Sequence, residues 1–287
     1  QPSLLTQGWR DTLLLQRLQC RQEAIMQLLQ ITHHNWAEAF YITLAHNFGF
    51  HINSLPFETL ALCTPLAYLL KHRNSLFQVT AILLGQSGLL NKQTIKNEEE
   101  AALLREYQFL KQKFSLQSMA ALLWKRARLR PQNAPQIRIR QFAQLICQSE
   151  WLFSQMLVQP TVNDLRQLLC LQSPTTSAED TQSIISAPPA IGKKSIDILL
   201  INTLLPYRYA YALAHSDTTA AQMALTLMQQ IPAEDNTIIR QWRLLGQQVT
   251  SAADTQALIH LYQHYCQNER CIHCEVGQQV FLLNHIP

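Results

Sequence analysis

Glycine is scarce in this sequence, with 7 residues in a chain of 287. Dinucleotide-binding folds, phosphate-binding loops and β-rich folds place glycine in tight turns, so this scarcity argues against all of these classes. Charged residues make up only 15% of the chain and apolar residues 47%, a balance typical of a packed globule and contrary to disorder. Sustained two-residue alternation and Asn-Gly or Asp-Gly turns are also missing, which argues against strands.

Long apolar runs are missing as well. The longest candidate, residues 196–205, is too short to cross a bilayer. Residues 1–30 are amphipathic and carry scattered charges, unlike a signal peptide. The 7 cysteines are odd in number and irregular in spacing, which argues against a disulfide framework. We therefore expect a soluble, cytoplasmic protein with no membrane partner. The chain begins with Gln1 rather than Met, so we expect that it has been trimmed or excised from a longer sequence.

Helical patterns recur along the whole chain. One apolar stripe with four-residue spacing comprises Trp36, Phe40, Leu44 and Phe48. Asn97 precedes three glutamates, a strong helix start because carboxylates complement the exposed N–H groups of a first turn. Further helix caps are predicted at Thr161, Asp217 and Ser251. The sequence predicts an all-α fold, an irregular multi-helix bundle with little or no sheet.

The most probable domain boundary by composition is the segment 171–191. It is rich in Ser, Thr and Pro and has few large side chains. Such a segment is typical of an exposed loop or linker, and it is long for a compact domain. We predict an N-terminal helical part over 1–170 and a C-terminal helical part over 192–287, packed on the first.

A cysteine motif near the C-terminus is the sharpest chemical signal, and it comprises Cys266, Cys271 and Cys274. Three thiols at this spacing are able to converge on a metal ion. The fourth ligand is not evident from the sequence; candidates are His260, His264, His273, Cys170 and Cys147. The same spacing occurs in ferredoxins that hold an iron–sulfur cluster, which leaves zinc or such a cluster as cofactors. The alternative interpretation is that these are reduced thiols that pack the last helix.

A basic segment is the second signal. Its cationic residues, predicted to contact phosphate or nucleic acid, are Lys125, Arg126, Arg128, Arg130, Arg138 and Arg140. No acidic residue interrupts the chain from Lys125 to Gln148. The alternative interpretation is a solvated surface with one or two arginines that fix the turn between Pro131 and Pro135. The net charge of +4 is mild and does not decide between the two.

Two polar residues, Asp197 and Asn202, interrupt an apolar helical segment. A buried carboxylate needs an ion-pair or hydrogen-bond partner. We predict that an arginine of the basic segment pairs with Asp197 and locks the two helical parts together. A catalytic role for Asp197 is the alternative.

Several motifs together resemble a known family. They comprise residues 36–58, the run Gly85-Gln86-Ser87-Gly88, residues 130–139 with Pro131, Asn133 and Pro135, the run Leu200-Ile201-Asn202-Thr203 with Pro206, and finally Tyr265, Cys266, Cys271, Cys274 and Gly277. They cover most of the chain in order and resemble a bacterial family catalogued as domain of unknown function 2851. The resemblance implies no established activity, and it implies a further N-terminal region ahead of Gln1.

Two functional hypotheses follow, because no catalytic motif is recognisable. The first is a non-catalytic helical module that binds a partner protein or braces its own missing N-terminal region. The alternative is a nucleic-acid-associated protein, nuclease-like or repair-like, with a phosphate-binding patch and a structural cysteine metal site. Catalysis by this chain alone is the least expected.

Overall fold

The computed structural model describes residues 5–91, 93, 95, 97–148, 152–172 and 186–284, which fold almost entirely into helices. The α-helices are α1 (Gln7–Ile31), α2 (Trp36–Phe48), α3 (Ser54–Leu62), α4 (Leu66–Lys71), α5 (Leu76–Gln86), α6 (Glu98–Phe114), α7 (Pro135–Gln148), α8 (Leu152–Val158), α9 (Val162–Leu169), α10 (Lys193–Leu199), α11 (Leu205–Ala214), α12 (Thr218–Gln230), α13 (Thr237–Leu244), α14 (Ala252–His260) and α15 (Glu275–Asn284). Short 3-10 turns are Ala121–Leu123, Pro131–Asn133 and Cys271–His273, and π-helical turns are Leu200–Leu204 and Leu261–Cys266.

The all-α, multi-helix fold predicted from the sequence is confirmed. Within the described ranges the β structure is limited to an isolated bridge between Pro232 and Ser251. None of the described helices combines the length and hydrophobicity that a membrane span requires.

The predicted helix caps are also confirmed. The side chain of Asn97 accepts a hydrogen bond from the Glu100 N–H, and the glutamates occupy the first turn of α6. Thr161 and Asp217 cap α9 and α12 in the same way. Ser251 and Asp254 bond each other's backbone N–H groups at the start of α14, which is a complete capping box.

The chain divides into two compact units. Unit 1 combines Gln1–Leu28 with Leu204–Pro287, and unit 2 is Leu29–Thr203. Unit 1 is not one continuous stretch of sequence, because most of the first helix groups with the C-terminal helices. The predicted linker 171–191 falls largely on residues 173–185, outside the described residues, so the predicted parts 1–170 and 192–287 stay a prediction.

The core of unit 2 is an aromatic cluster around Phe142 of α7. Its ring stacks on Tyr41 with centroids 5.8 Å apart and lies 5.2 Å from Phe48, both on α2. Phe57 of α3 meets it edge-on at 6.1 Å. The Tyr41 hydroxyl donates to the carbonyl of Thr64 at 3.0 Å, so the one polar atom of that ring is satisfied. The cluster fixes α2, α3 and α7 relative to one another.

A buried hydrogen-bond network sets the closest approach of α5 to α6. A Cβ added to Gly85 would lie 2.1 Å from Cγ of Tyr107, so the ring packs directly on the glycine backbone. The Tyr107 hydroxyl donates to Gln86 Oε1 at 2.9 Å, and Gln86 Nε2 donates to the Cys63 carbonyl at 2.8 Å. The Met119 N–H donates to the Gln86 carbonyl at 2.9 Å. The network thereby holds the segment that leads into the basic residues.

In unit 1, side chains of α1 form hydrogen bonds with side chains of α14. The buried residues of α1 in this unit include Leu13, Leu14 and Leu18. Near the start of α1, Arg10 donates to Asp254 at 3.2 Å and to the Gln248 carbonyl at 2.8 Å. One π-helical turn, Leu261–Cys266, directly follows α14, and such turns are frequent at functional sites.

Candidate functional site

The basic segment of unit 2 is a loop between two 3-10 turns. Lys125, Arg126, Arg128 and Arg130 are all exposed. None of these four side chains takes part in an ion pair with another described residue. We call these four residues the cationic loop.

The backbone at the start of the cationic loop is anchored. Trp124 is buried, its Nε1–H donates to the Ser87 carbonyl at 2.9 Å, and its ring meets Phe57 edge-on at 5.1 Å. Asn53, also buried, bonds both backbone groups of Lys125: Nδ2 donates to the Lys125 carbonyl at 3.1 Å, and Oδ1 accepts from the Lys125 N–H at 2.9 Å. The cations therefore extend from a fixed attachment point.

The other two predicted phosphate contacts are engaged with protein groups. Arg140 forms an ion pair with Glu99 in which both side chains are mostly buried. The guanidinium of Arg138 lies 4.2 Å from the Phe50 ring centroid and donates to Asn133 at 2.7 Å and to Gln141 at 3.1 Å. Burial lowers the pKa of Arg138.

An open pocket of about 230 Å³ lies beside this arginine. Its lining includes Phe50, Asn53, Leu129, Arg138 and Ser195. Leu129 belongs to the basic segment, so the pocket and the cationic loop are adjacent in unit 2.

Asp197 is half-buried on α10, and its ion-pair partner is Arg166 of α9, with 2.7 Å between Nε and Oδ1. The predicted partner from the basic segment is therefore wrong, because α10 packs against α9. Asn202 is also half-buried, and its side chain donates to the Ile198 carbonyl at 3.0 Å. The Asn202 carbonyl accepts from Asn47 Nδ2 at 3.3 Å.

The Arg166–Asp197 pair is expected to contribute modestly to the stability of unit 2. In a double-mutant cycle with Arg166→Gln and Asp197→Asn, we expect a coupling of about 1 kcal/mol in the free energy of unfolding. The two side chains retain 18% and 17% exposure, which keeps solvent screening significant. Urea unfolding of the four proteins measures the coupling, and a value near zero would show that the pair is not a structural lock.

The predicted cysteine motif lies in unit 1. Cys266 ends the π-helical turn, Cys271 begins a 3-10 turn, and Cys274 is buried ahead of α15. Burial, together with the neighbouring thiols of Cys274 and Cys271, raises the pKa of Cys266. A Cβ on Gly277 would lie 2.1 Å from the Cys271 carbonyl oxygen, so α15 packs tightly on this turn. Metal binding by the three cysteines stays a prediction.

A different group of three donors comes together in unit 1. Ligand atoms of Cys20, His260 and His264 all lie within 4.8 Å of one another. Cys20 comes from α1, His260 is the last residue of α14, and His264 lies in the π-helical turn that follows. The imidazole rings are stacked with centroids 4.2 Å apart. Among the described residues, the three C-terminal cysteines do not form such a group.

The sequence carries a signal for only part of this group. The cysteine motif suggests His260 and His264 as fourth ligands, but the spacing of these two histidines is itself a signal of metal binding. Residues four apart on a helix lie on one face, and two histidines so placed are a common metal-binding pair. Cys20 is separated from His260 by most of the chain, and no sequence pattern around Cys20 predicts a metal site.

Comparison with known proteins identifies a family. The model of a family described as protein of unknown function (DUF2851) matches residues 2–237. No curated protein and no solved structure matches the chain.

Proposed function

The chain belongs to that uncharacterised family, and on this premise we propose that it is a helical binding module, not a catalyst, whose cationic loop contacts the phosphates of a nucleic acid. The observation that carries the proposal is the group of exposed cations on an anchored backbone. Arg126, Arg128 and Arg130 each present a planar donor fork that fits phosphate oxygens. The anchoring by Trp124 and Asn53 supports the proposal because a preorganised loop loses little conformational freedom on binding.

Salt dependence is the signature of such a contact. Each phosphate neutralised releases condensed counterions, so the logarithm of the binding constant falls linearly with the logarithm of the salt concentration. Four phosphate contacts to duplex DNA correspond to a slope of about −3.6. Without base-edge contacts, the binding is expected to depend little on base sequence.

We expect the variant Arg126→Gln/Arg128→Gln to bind a labelled duplex more weakly and to reduce the magnitude of the salt slope by about 2. Fluorescence anisotropy at several salt concentrations measures both quantities. The matched control is Arg240→Gln/Arg243→Gln, which removes the same charge from exposed positions of α13. The proposal fails if neither duplex nor single strand binds at low salt, or if both variants lower the slope equally.

A protein partner is the second candidate function, as the sequence also suggested. It is supported by two adjacent exposed leucines at the end of α13, Leu244 and Leu245, with 87% and 70% of their surface accessible. The partner would be another protein, or the further N-terminal region that the family resemblance implies. The test measures the affinity of the separately produced N-terminal region for this chain and for its variant Leu244→Ser/Leu245→Ser. The variant Leu122→Ser, in unit 2, is the control. Equal affinity of all three chains would count against it.

We also propose a cytoplasmic location. Cys63, Cys170, Cys266 and Cys271 are exposed thiols in addition to Cys20. Exposed thiols fit a compartment that keeps cysteine reduced.

A further inference from the structure

A second pocket, in unit 1, is independent of the cationic loop. It has a volume of about 270 Å³, and its lining includes Glu23 and Arg270 besides the three candidate ligands Cys20, His260 and His264. Cys20 and His264 are exposed, whereas His260 is 97% buried, with an accessible fraction of 3%. The three donors therefore lie at the wall of an accessible pocket, and one of them, His260, is buried.

The buried histidine has an unexplained polar atom. Nδ1 of His260 is inaccessible and has no hydrogen-bond partner among the residues that the structure describes. Burying a polar group without a partner costs free energy, so such atoms are rare unless something else satisfies them. A bound cation would satisfy this nitrogen.

Behind the candidate ligands, the charged side chains of Arg17 and Glu234 form hydrogen bonds with other protein side chains. Arg17 donates to Gln256, and again to Gln263 at 3.3 Å. Glu234 accepts hydrogen bonds from Gln256 and Thr255. The network braces α1 against α14, the two helices that supply Cys20 and His260.

We propose that Cys20, His260 through Nδ1, and His264 bind one zinc-type divalent cation, with the fourth coordination position open to the pocket. One thiolate and two imidazoles form a donor set that suits Zn²⁺ and is unsuited to Ca²⁺ or Mg²⁺, which prefer oxygen. Three protein ligands with one open position is the arrangement of zinc sites that hold a water or a small ligand. The site does not depend on nucleic-acid binding.

The experiment adds Zn²⁺ to the untagged full chain after chelator treatment and measures affinity and stoichiometry by titration calorimetry. Co²⁺ serves as a spectroscopic probe, because a thiolate ligand gives a charge-transfer band. We expect one ion at this site, a thiolate–cobalt band, and a loss of affinity of at least about 100-fold in Cys20→Ser and in His264→Gln. Both substituted side chains are exposed, so the variants are expected to fold, and circular dichroism checks this.

Cys271→Ser and His273→Gln are the matched controls, since they remove exposed donors of the same types from the predicted cysteine motif. They are expected to leave this ion in place. If a second ion binds and depends on Cys271, the proposal holds and the cysteine motif is a further site. The proposal is overturned if no ion binds at micromolar Zn²⁺, or if binding is lost in Cys271→Ser and kept in Cys20→Ser.

Discussion

Replacing Phe142 with alanine is expected to lower the free energy of unfolding of unit 2 by about 3–5 kcal/mol. Phe142 is 1% exposed and contacts Tyr41, Phe48 and Phe57. The truncation removes apolar surface from the core and leaves a cavity that three rigid rings cannot fill. It also breaks aromatic pairs that contribute beyond their buried area. Denaturant unfolding of the two proteins measures the difference.

Phe109→Ala is the matched control for this truncation. Phe109 lies on α6 in the same unit and is 62% exposed, so its removal is expected to change stability by no more than about 0.5 kcal/mol. Similar losses in both variants would show that Phe142 does not occupy the centre of the core. Because Phe57 also contacts Trp124, the Phe142 variant is further expected to loosen the cationic loop and weaken nucleic-acid binding.

Asp254→Asn is expected to destabilise unit 1 by about 2–3 kcal/mol at pH 7, because it weakens a helix cap and a charge-assisted hydrogen bond together. Asp254 Oδ2 accepts from the N–H and hydroxyl groups of Thr250 and Ser251. Oδ1 accepts from Arg10, and both side chains of that pair are largely buried. The amide of asparagine keeps the shape but loses the charge that these donors converge on.

The same pair of proteins tests a pH dependence. Burial alone would raise the pKa of Asp254, but the hydrogen bonds from Ser251 and Thr250 outweigh it and hold the pKa below its usual value. A carboxylate whose pKa is lowered on folding contributes stability above its unfolded pKa of about 3.9 and loses that contribution as the pH falls through the folded value. The difference between wild type and Asp254→Asn is therefore expected to be constant from pH 7 to 5 and to shrink below about pH 4.

Asp235→Asn is the control for the pH series. Its ion pair with Arg240 leaves both side chains more than half exposed, so the change is expected to leave the free energy of unfolding nearly unchanged. If the difference in free energy of unfolding between wild type and Asp254→Asn persisted unchanged at pH 3, the stabilisation would come from the shape of the side chain and not from its charge.

Local chemistry explains what the sequence predicted well. A cap such as Asn97 or Ser251 acts on backbone groups two or three residues away, so the pattern is visible in the sequence. The buried stripe of α2 follows from helical periodicity alone: Phe40, Leu44 and Phe48 are buried, and only Trp36 at the first turn is half-exposed.

The sequence does not predict which distant segments pair with one another. Arg140 meets Glu99 and Asp197 meets Arg166 because of how the helices pack, and one sequence does not record which helices are neighbours. The same reason hid the three-donor group, since nothing near Cys20 indicates that α14 lies beside α1. The exposure of Lys125, Arg126, Arg128 and Arg130 agrees with the hydrophilicity of that segment, but the engagement of Arg138 by Phe50 was not predicted.

The division of unit 1 into two distant stretches, Gln1–Leu28 and Leu204–Pro287, has a consequence for biosynthesis. Unit 2 is contiguous and is able to fold as soon as it leaves the ribosome, whereas α1 must wait until α14 has been translated. At about 5–20 residues per second, that delay amounts to some tens of seconds. During this time the stretch Leu204–Pro287 is not available to help bury Leu13, Leu14 and Leu18, so the nascent chain exposes apolar side chains that favour aggregation.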